Sequence, residues 1–511
     1  MAETTMLGTT LWLPWVAALV VPFLGRGTLG RGVTLATMLA ILWLVAKLFL
    51  AFDGTSGLAQ FGVHLPFIAA LGSTLAFALD GYNVFLALLT AVLFPVVLAC
   101  TWRTDEAARP LYLALLLLLE AALLGTFLAQ DLLVFFVLWE AVLIPMVLLI
   151  LVFGGAQRRQ AAISFFLYTM AGSIVLLAAV IYLGAQASAQ FGHWSFAYSS
   201  LEALQLDGGQ QTFVFLAVVL ACAVKSPLFP FHAWLPLAYR GASPSGTALM
   251  AGVLSKMGAY GFLRLALPLA PDAAAYFAPL LIGWAVVSIV YGAVLALRQR
   301  HYKLLVAYAS LSHMGYIVLG AFSLQPTGLH GAMVQILSHG VVVAGLFLLL
   351  GLLEQRRGAA YLQLHGLATR APRFAVVTML FVLASLALPL TSGFAAEFLV
   401  LLGAFNAGLA HWHAGAGAGT LVAALVAATG VVLGATYMLR FARTLVFDDS
   451  NLPERLDRDL TMRELAALAP LLLLVFWIGV RPAAWMNATE ATVGQLARPV
   501  IATMVGAQHD E

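Results

Sequence analysis

Apolar residues in this chain fall in long unbroken runs rather than in alternation. Between LWLPWVAALVVPFL near residue 11 and LAPLLLLVFWIGV near residue 480, one run follows another, each closed by a short polar or glycine-containing segment. Runs of about 17 residues or more cross roughly 30 Å of hydrocarbon when helical. Backbone groups in lipid must pair within their own segment, so these runs are read as helices. The missing ten-residue alternation speaks against a membrane barrel. Fourteen spans are predicted, over about 8–24, 33–51, 81–101, 111–129, 131–153, 162–184, 212–238, 245–268, 276–297, 303–322, 330–352, 374–405, 418–446 and 465–485.

Composition agrees with a lipid solvent. The 511 residues are 63% hydrophobic and 9% charged, where a soluble domain carries about 25% charged residues. The first apolar run has no basic residue before it and is followed by Gly25-Arg26-Gly27, so it reads as a retained helix rather than a cleaved signal. Basic residues test the span count, because they concentrate in cytoplasmic loops. Alternate loops hold Arg26, Arg31, Arg103, Arg109, Arg158, Arg159, Arg240, Arg298, Arg300, Lys303, Arg356, Arg357, Arg370, Arg373, Arg440, Arg443, Arg455, Arg458 and Arg463. The other loops and the C-terminal tail hold only Arg264, Arg481 and Arg498. One missed helix would scramble this order. Both termini are thereby expected to face away from the cytoplasm. The net charge of +3 is spread over many loops and implies no nucleic acid. Cys100 and Cys222 form no CxxC pair, disulfide framework or iron–sulfur spacing. The glycine-rich stretch 414–419 follows no strand and reads as a turn, with His411 and His413 beside it in an exposed loop rather than at a metal.

Against this background some ionisable residues are misplaced. Lys225 and Lys256 lie within spans, although the loops use arginine almost exclusively. A desolvated lysine can release its proton and arginine effectively cannot. Glu120, Glu140 and Glu397 are similarly placed, as are His232, His313 and His339. Two of the spans that carry them are also broken. In CAVKSPLFPFHAWLP, Pro227 and Pro230 remove backbone donors just after Lys225, and in LALPLTSGFAAEFL, Pro389 and Gly393 precede Glu397. Irregular backbone at membrane depth is tolerated where it is buried or lines a cavity. The broken spans are the seventh and twelfth, an odd number of helices apart, so they run in opposite directions. That arrangement predicts two inverted five-helix repeats, spans 4–8 and 9–13.

Each residue has a plainer reading. Glu140 and Lys225 can be a structural ion pair, Lys256 can meet an acid of a neighbouring chain, and Glu120 can grip another subunit. The histidines, taken singly, are ordinary core residues, and His232 can serve a freed carbonyl. As a set, so many titratable groups at mid-depth on separate helices fit a proton relay better than docking.

FFVLWEAVLIPMVLLI, VKSPLFPFHAWLP, LSKMGAYGFLR, LLVAYASLSHMGYIVLG and GFAAEFLVLLGAF closely resemble the antiporter-like membrane subunits of respiratory complex I, over roughly residues 77–485. Glu397 in place of a lysine, Glu120 in span 4 and the short tail after span 14 make the M-type group the nearest match. The resemblance implies a proton-pumping module without a redox centre. In it Glu140 and Lys225 form a modulating pair, Lys256 is the central relay, and His313 and His339 continue a hydrated path. Glu397 is the exit-side group and His232 marks the break in span 7. FMN, iron–sulfur clusters, NADH and quinone would belong to partner subunits, with L-type and N-type chains and membrane lipid as neighbours. The expected location is the bacterial inner membrane. The family's acidic and basic positions near the cytoplasmic loops read Leu237, Tyr239 and Ser164 here, which puts the usual uptake route in doubt.

The expected architecture is all-α and polytopic, divided at 1–110, 111–268, 269–446 and 447–511. Alternatives are a subunit of a multi-subunit cation/proton antiporter or membrane-bound hydrogenase, or a non-pumping spacer of a membrane arm.

Overall fold

The computed structural model describes residues 2–357, 365–448 and 459–497. Arg455, Arg458 and Arg498, used in the charge count above, lie outside these residues. Helices α1 (Ala2–Val20) and α2 (Thr28–Ala51) are followed by a hairpin, β1 (Gln60–Ile68) and β2 (Ser73–Leu79). The chain continues through α3 (Val84–Thr101), α4 (Pro110–Leu128), α5 (Leu132–Ala141), α6 (Leu143–Phe153), α7 (Arg158–Phe191), α8 (Tyr198–Glu202), α9 (Gly208–Lys225) and α10 (Trp234–Gly241). A mixed run follows: α11 (Pro244–Leu249), a π-turn over Met250–Leu254, α12 (Lys256–Gly261), a second π-turn over Phe262–Ala266, and α13 (Leu267–Leu269). Then come α14 (Pro271–Arg298), α15 (Tyr302–Phe322), α16 (Pro326–Arg357), α17 (Leu367–Arg370), α18 (Pro372–Ser385), α19 (Ser392–His413), α20 (Gly419–Ala442), α21 (Met462–Val480) and α22 (Pro482–Asn487).

Thirteen helices among the described residues are long and apolar enough to cross a membrane, with α5 and α6 counting as one. They correspond to thirteen of the fourteen predicted spans. The remaining one, 245–268, is the run from α11 to α13, which its π-turns break into short pieces. Both predicted interruptions are present. The chain leaves helix between α9 and α10, and again at residues 386–391 between α18 and α19.

Lipid replaces water as the solvent, so burial follows position in the bundle rather than polarity. The membrane window of α16 is wholly buried, whereas α20 buries only a third of its own. Around α16 pack α3, α15 and α19. Outer helices turn Ile174, Leu280, Val432 and Leu473 outward, where hydrocarbon accepts them at no cost. Polar caps start several helices: Asp131 accepts from the Leu133 and Val134 N–H groups, and Asp207 with Gln210 and Thr461 with Glu464 form capping boxes.

The β-hairpin is not foreseen in the sequence reading, which leaves residues 52–80 as loop. Its strands are antiparallel and their alternation is weak, so periodicity gives little signal. Asp131 ties the hairpin to the bundle by accepting from the Ser73 hydroxyl at 3.1 Å and the Thr74 N–H at 3.0 Å. Arg264 is a second correction. It lies in the second π-turn and is buried, rather than in a loop. Lys303 likewise occupies the first turn of α15 and is 1% exposed.

Candidate functional site

Helix α9 ends at Lys225 because Pro227 and Pro230 cannot donate to the preceding turn. Tryptophans take the freed carbonyls. Trp234 Nε1 donates to Val224 O at 3.0 Å, and Trp284 Nε1 donates to Phe229 O. His232 itself is half-buried, packed beside Phe229, Tyr291 and Tyr308. Lys225 is 1% exposed. Its ammonium stands 4.7 Å from the centre of the Trp139 ring and has no hydrogen-bond partner. Glu140 follows Trp139 on α5, and its Oε1 is also unpartnered. The expected Glu140–Lys225 pair is therefore not closed by a hydrogen bond between these atoms.

The next lysine is held differently. Ser226 Oγ donates to Ser255 O at 3.2 Å, tying the residue after Lys225 to the residue before Lys256. In the π-turn ahead of Lys256, the Ser255 N–H reaches Met250 O at 3.1 Å. An α-helix would pair that N–H with Ala251 O, so the Ala251 carbonyl is released to side chains. Lys256 Nζ donates to it at 2.5 Å, and Ser255 Oγ at 3.1 Å. Two further contacts of the ammonium are Ser255 Oγ at 3.3 Å and His339 Nδ1 at 3.0 Å. When the ammonium donates, His339 Nδ1 accepts, and Nε2–H donates to Ser310 Oγ at 3.2 Å.

From His339 the line continues outward. Its ring lies 5.3 Å from the His313 ring, and His313 Nδ1 donates to Glu397 Oε1 at 2.9 Å. Glu397 sits on the second turn of α19, just past the break, where Ser338 Oγ donates to Ser392 Oγ at 2.8 Å. Ser310, His313, Gln335, His339 and Glu397 share the wall of a cavity of about 20 Å³, enough for one water. A second small cavity beyond Glu397 touches Tyr316 and Tyr437.

The structure thus gathers Lys256, His339, His313 and Glu397 into one buried line. Lys225 is joined to it through the Ser226–Ser255 contact. Glu140 and His232 lie near the first break without a hydrogen bond into the line. Glu120 stands apart on α4, wholly enclosed by this chain, with both carboxyl oxygens unpartnered. Sequence reasoning passed over Ser255, Ser310 and Gln335. Only the spacing of Ser310, three residues before His313 on one helical face, hinted at them. It also passed over Arg264, whose guanidinium lies between the Tyr82 and Tyr198 rings at 4.6 and 4.2 Å and donates to Gln130 Oε1 at 2.8 Å.

A family profile for the transmembrane region of NADH:quinone oxidoreductase and Mrp antiporter proteins matches residues 129–413. NADH-quinone oxidoreductase subunit M of Rickettsia typhi is 34% identical over 508 residues, which cover 97% of this chain and 99% of that protein. The chain belongs to this family. Among solved structures, a chain of respiratory complex I from Thermus thermophilus with bound NADH has a TM-score of 0.85 at 32% identity. That match covers 97% of this chain and 99% of that one. A chain of the Mrp complex from Dietzia sp. reaches 0.81 at 22% identity, covering 98% of this chain and 56% of its own length, and shares the fold. The family segment contains every member of the line. Ser164 and Leu237 border an open recess with Arg159 and Gln160 between α7 and the second helix of the broken span.

Proposed function

We propose that this chain is the M-type proton-translocating membrane subunit of an NADH:quinone oxidoreductase. The observation that carries the reading is the buried line Lys256–His339–His313–Glu397, set at the depth of two helix breaks. Each member can bind or release a proton, and neighbours lie within one hydrogen bond or one ring contact. Lys225, facing the Trp139 ring with Glu140 beside it, is the movable element at the head of the line. Closing the carboxylate onto the ammonium favours its charged form, and opening it favours release. Glu120 is a further relay group, reached only if water or helix motion connects it.

In this reading residues 111–268 and 269–446 are the two inverted repeats, each with one broken helix, preceded by residues 1–110 and followed by 447–511. Redox chemistry belongs to partner chains, which would carry FMN, iron–sulfur clusters and the NADH and quinone sites. L-type and N-type chains would be the membrane neighbours. The chain sits in the bacterial inner membrane with its arginine-rich loops in the cytoplasm and both termini outside. The antiporter reading draws on the shared fold with the Mrp chain, and the lower identity there sets it second.

Lys256→Ala in the assembled complex tests the proposal through the ratio of protons moved to electrons passed. A lowered ratio with normal assembly is expected. An unchanged ratio with full assembly would leave a spacer role instead.

A further inference from the structure

On the arginine-rich face, α15 begins and α16 ends side by side, because a three-residue turn at 323–325 makes them antiparallel neighbours. There Lys303 Nζ meets Glu354 Oε2 at 2.5 Å. The lysine side chain is 2% exposed and the glutamate 34%, so the pair is a plug with one wet end. Below it, α15 presents Lys303, Val306, Ser310 and His313 at spacings of three, four and three, which is one helical face. The facing side of α16 presents Glu354, Leu346, Val343 and His339. Val306, Val343 and Leu346 form the upper wall of the cavity whose floor is Ser310, His313, His339 and Glu397. At 1.5 Å per residue, Val306 is about 5 Å under the lysine and Ser310 about 10 Å under it. The ion pair thus stands at the upper end of an apolar stretch of α15 and α16 that leads down to the line of titratable groups.

Beyond Glu397, α19 packs on α16 so closely that a Cβ on Gly403 would lie 2.4 Å from Gly328 Cα, and one on Gly331 would lie 2.5 Å from Val400 N. Charged and titratable groups lie near the plug on its wet side. Glu106, in the loop before α4, is half-buried, and burial pushes its carboxyl up to about 7, with Arg109 opposing and Glu354 and Asp105 adding to the rise. Arg240 and His301 complete the rim beside Lys303.

We propose that the Lys303–Glu354 ion pair is the gate through which protons from the arginine-rich face reach His339 and Glu397. With the pair closed, the dry neck of Val306, Val343 and Leu346 holds no proton path, since a hydrophobic constriction conducts only when wetted. When Glu354 swings to solvent, Lys303 is left charged over the neck and draws water in. This route lies in the second repeat and bypasses the recess at Ser164 and Leu237. It rests on the proton-translocating reading for its purpose but not for its test.

The test is cysteine reactivity in the assembled complex, in sealed vesicles of both orientations. Cys100 and Cys222 are buried, so the parent chain should not label. Val306→Cys reports the neck, probed with a small membrane-impermeant thiosulfonate. Combined with Glu354→Gln, which leaves Lys303 charged and unpaired, labelling should quicken about ten-fold or more as a minor open state becomes the main one. It should do so only from the arginine-rich side. An unchanged rate, or labelling from the other side, overturns the gate. If that replacement blocks assembly, Glu354→Asp carries the test: it keeps the charge and withdraws it by one methylene. A faster rate supports the gate, and an unchanged one overturns it. A gate established this way together with an unaltered proton ratio in Lys256→Ala would sink the relay and leave the gate standing, so the two ideas fail separately.

Discussion

At the scale of single residues, the two mid-membrane lysines are solved in opposite ways. A lysine at the bilayer centre costs about 3 kcal/mol. Hydrogen bonds to a charged group return about 1.5–3 kcal/mol each, and Lys256 has three acceptors. Lys225 instead faces the Trp139 ring, a contribution of about 2 kcal/mol when desolvated, and makes no hydrogen bond. Among the described residues, the link from Lys256 onward is His339. Replacing it with leucine removes one charge-assisted hydrogen bond, and proton-coupled quinone reduction should fall about ten-fold or more. His339→Gln retains an acceptor for the ammonium and should lose less. Equal losses in a steady-state assay of the two would show that the ring is not the link. Glu106 gives a prediction of a different kind. Its carboxyl is raised from 4.5 to about 7 in the folded chain, so the fold favours its protonated form. That contribution is present at low pH and is lost as pH rises from about 4.5 through about 7. Glu106→Gln should flatten the fall in thermal stability over that window, read as the melting temperature in detergent between pH 5 and pH 8. Parallel curves for the two proteins would refute it.

At the scale of elements, proline carries most of what can be read in advance. Pro227, Pro230 and Pro389 announce the two breaks because a missing N–H is a property of the residue itself. The long spans were equally legible, since a helix in lipid needs only length and apolarity. The π-turns around Lys256 were not. Nothing in MAGVLSKMGAYGFLRLA forbids a regular α-helix, and the wider turns arise from packing against α3, α16 and α9. The hairpin stayed hidden for a related reason: a capping aspartate, Asp131, some fifty residues downstream holds it in place. Gly258 shows the packing constraint most sharply. A Cβ there would lie 2.3 Å from Ser226 Oγ and 2.4 Å from Cys222 O, against the backbone at the first break. Gly258→Val should force α12 away from α9, parting Ser226 from Ser255 and Lys225 from Lys256. We expect a clear loss of the assembled complex, measured as co-purifying partner chains, while Gly283→Ala, at an open position on α14, should leave assembly unchanged. Normal assembly and activity in Gly258→Val would show that the two lysine-bearing helices need not touch.

At the scale of the whole molecule, the site was legible as a list of residues but not as a line. Sequence alone places Lys256, His313, His339 and Glu397 on four helices, and only packing brings them into contact while leaving Glu120 and His232 aside. Orientation is where sequence and structure bear on one another most directly. The arginine-rich loops lie at one end of the helices: Arg356 Nη2 donates to Glu464 Oε2 at 2.8 Å across the α16 and α21 ends, and Arg440 Nη1 donates to Leu297 O at 2.7 Å. The turn between α19 and α20, with no lysine or arginine, lies at the other end. Basic residues next to a span stay on the cytoplasmic side during insertion, and this asymmetry decides which way the proposed gate faces. Ala156 and Ala416 are both exposed and sit on loops of opposite type. Ala156→Cys should therefore react with an impermeant thiol reagent only in vesicles that expose the cytoplasmic face, and Ala416→Cys only in intact cells or right-side-out vesicles. Swapped reactivity would turn the gate toward the outside and make it a release route. Reactivity of both positions from one side would mean that the run from α11 to α13, the one span interrupted by π-turns, does not cross the membrane. Every depth assigned to Lys256 would then have to be abandoned.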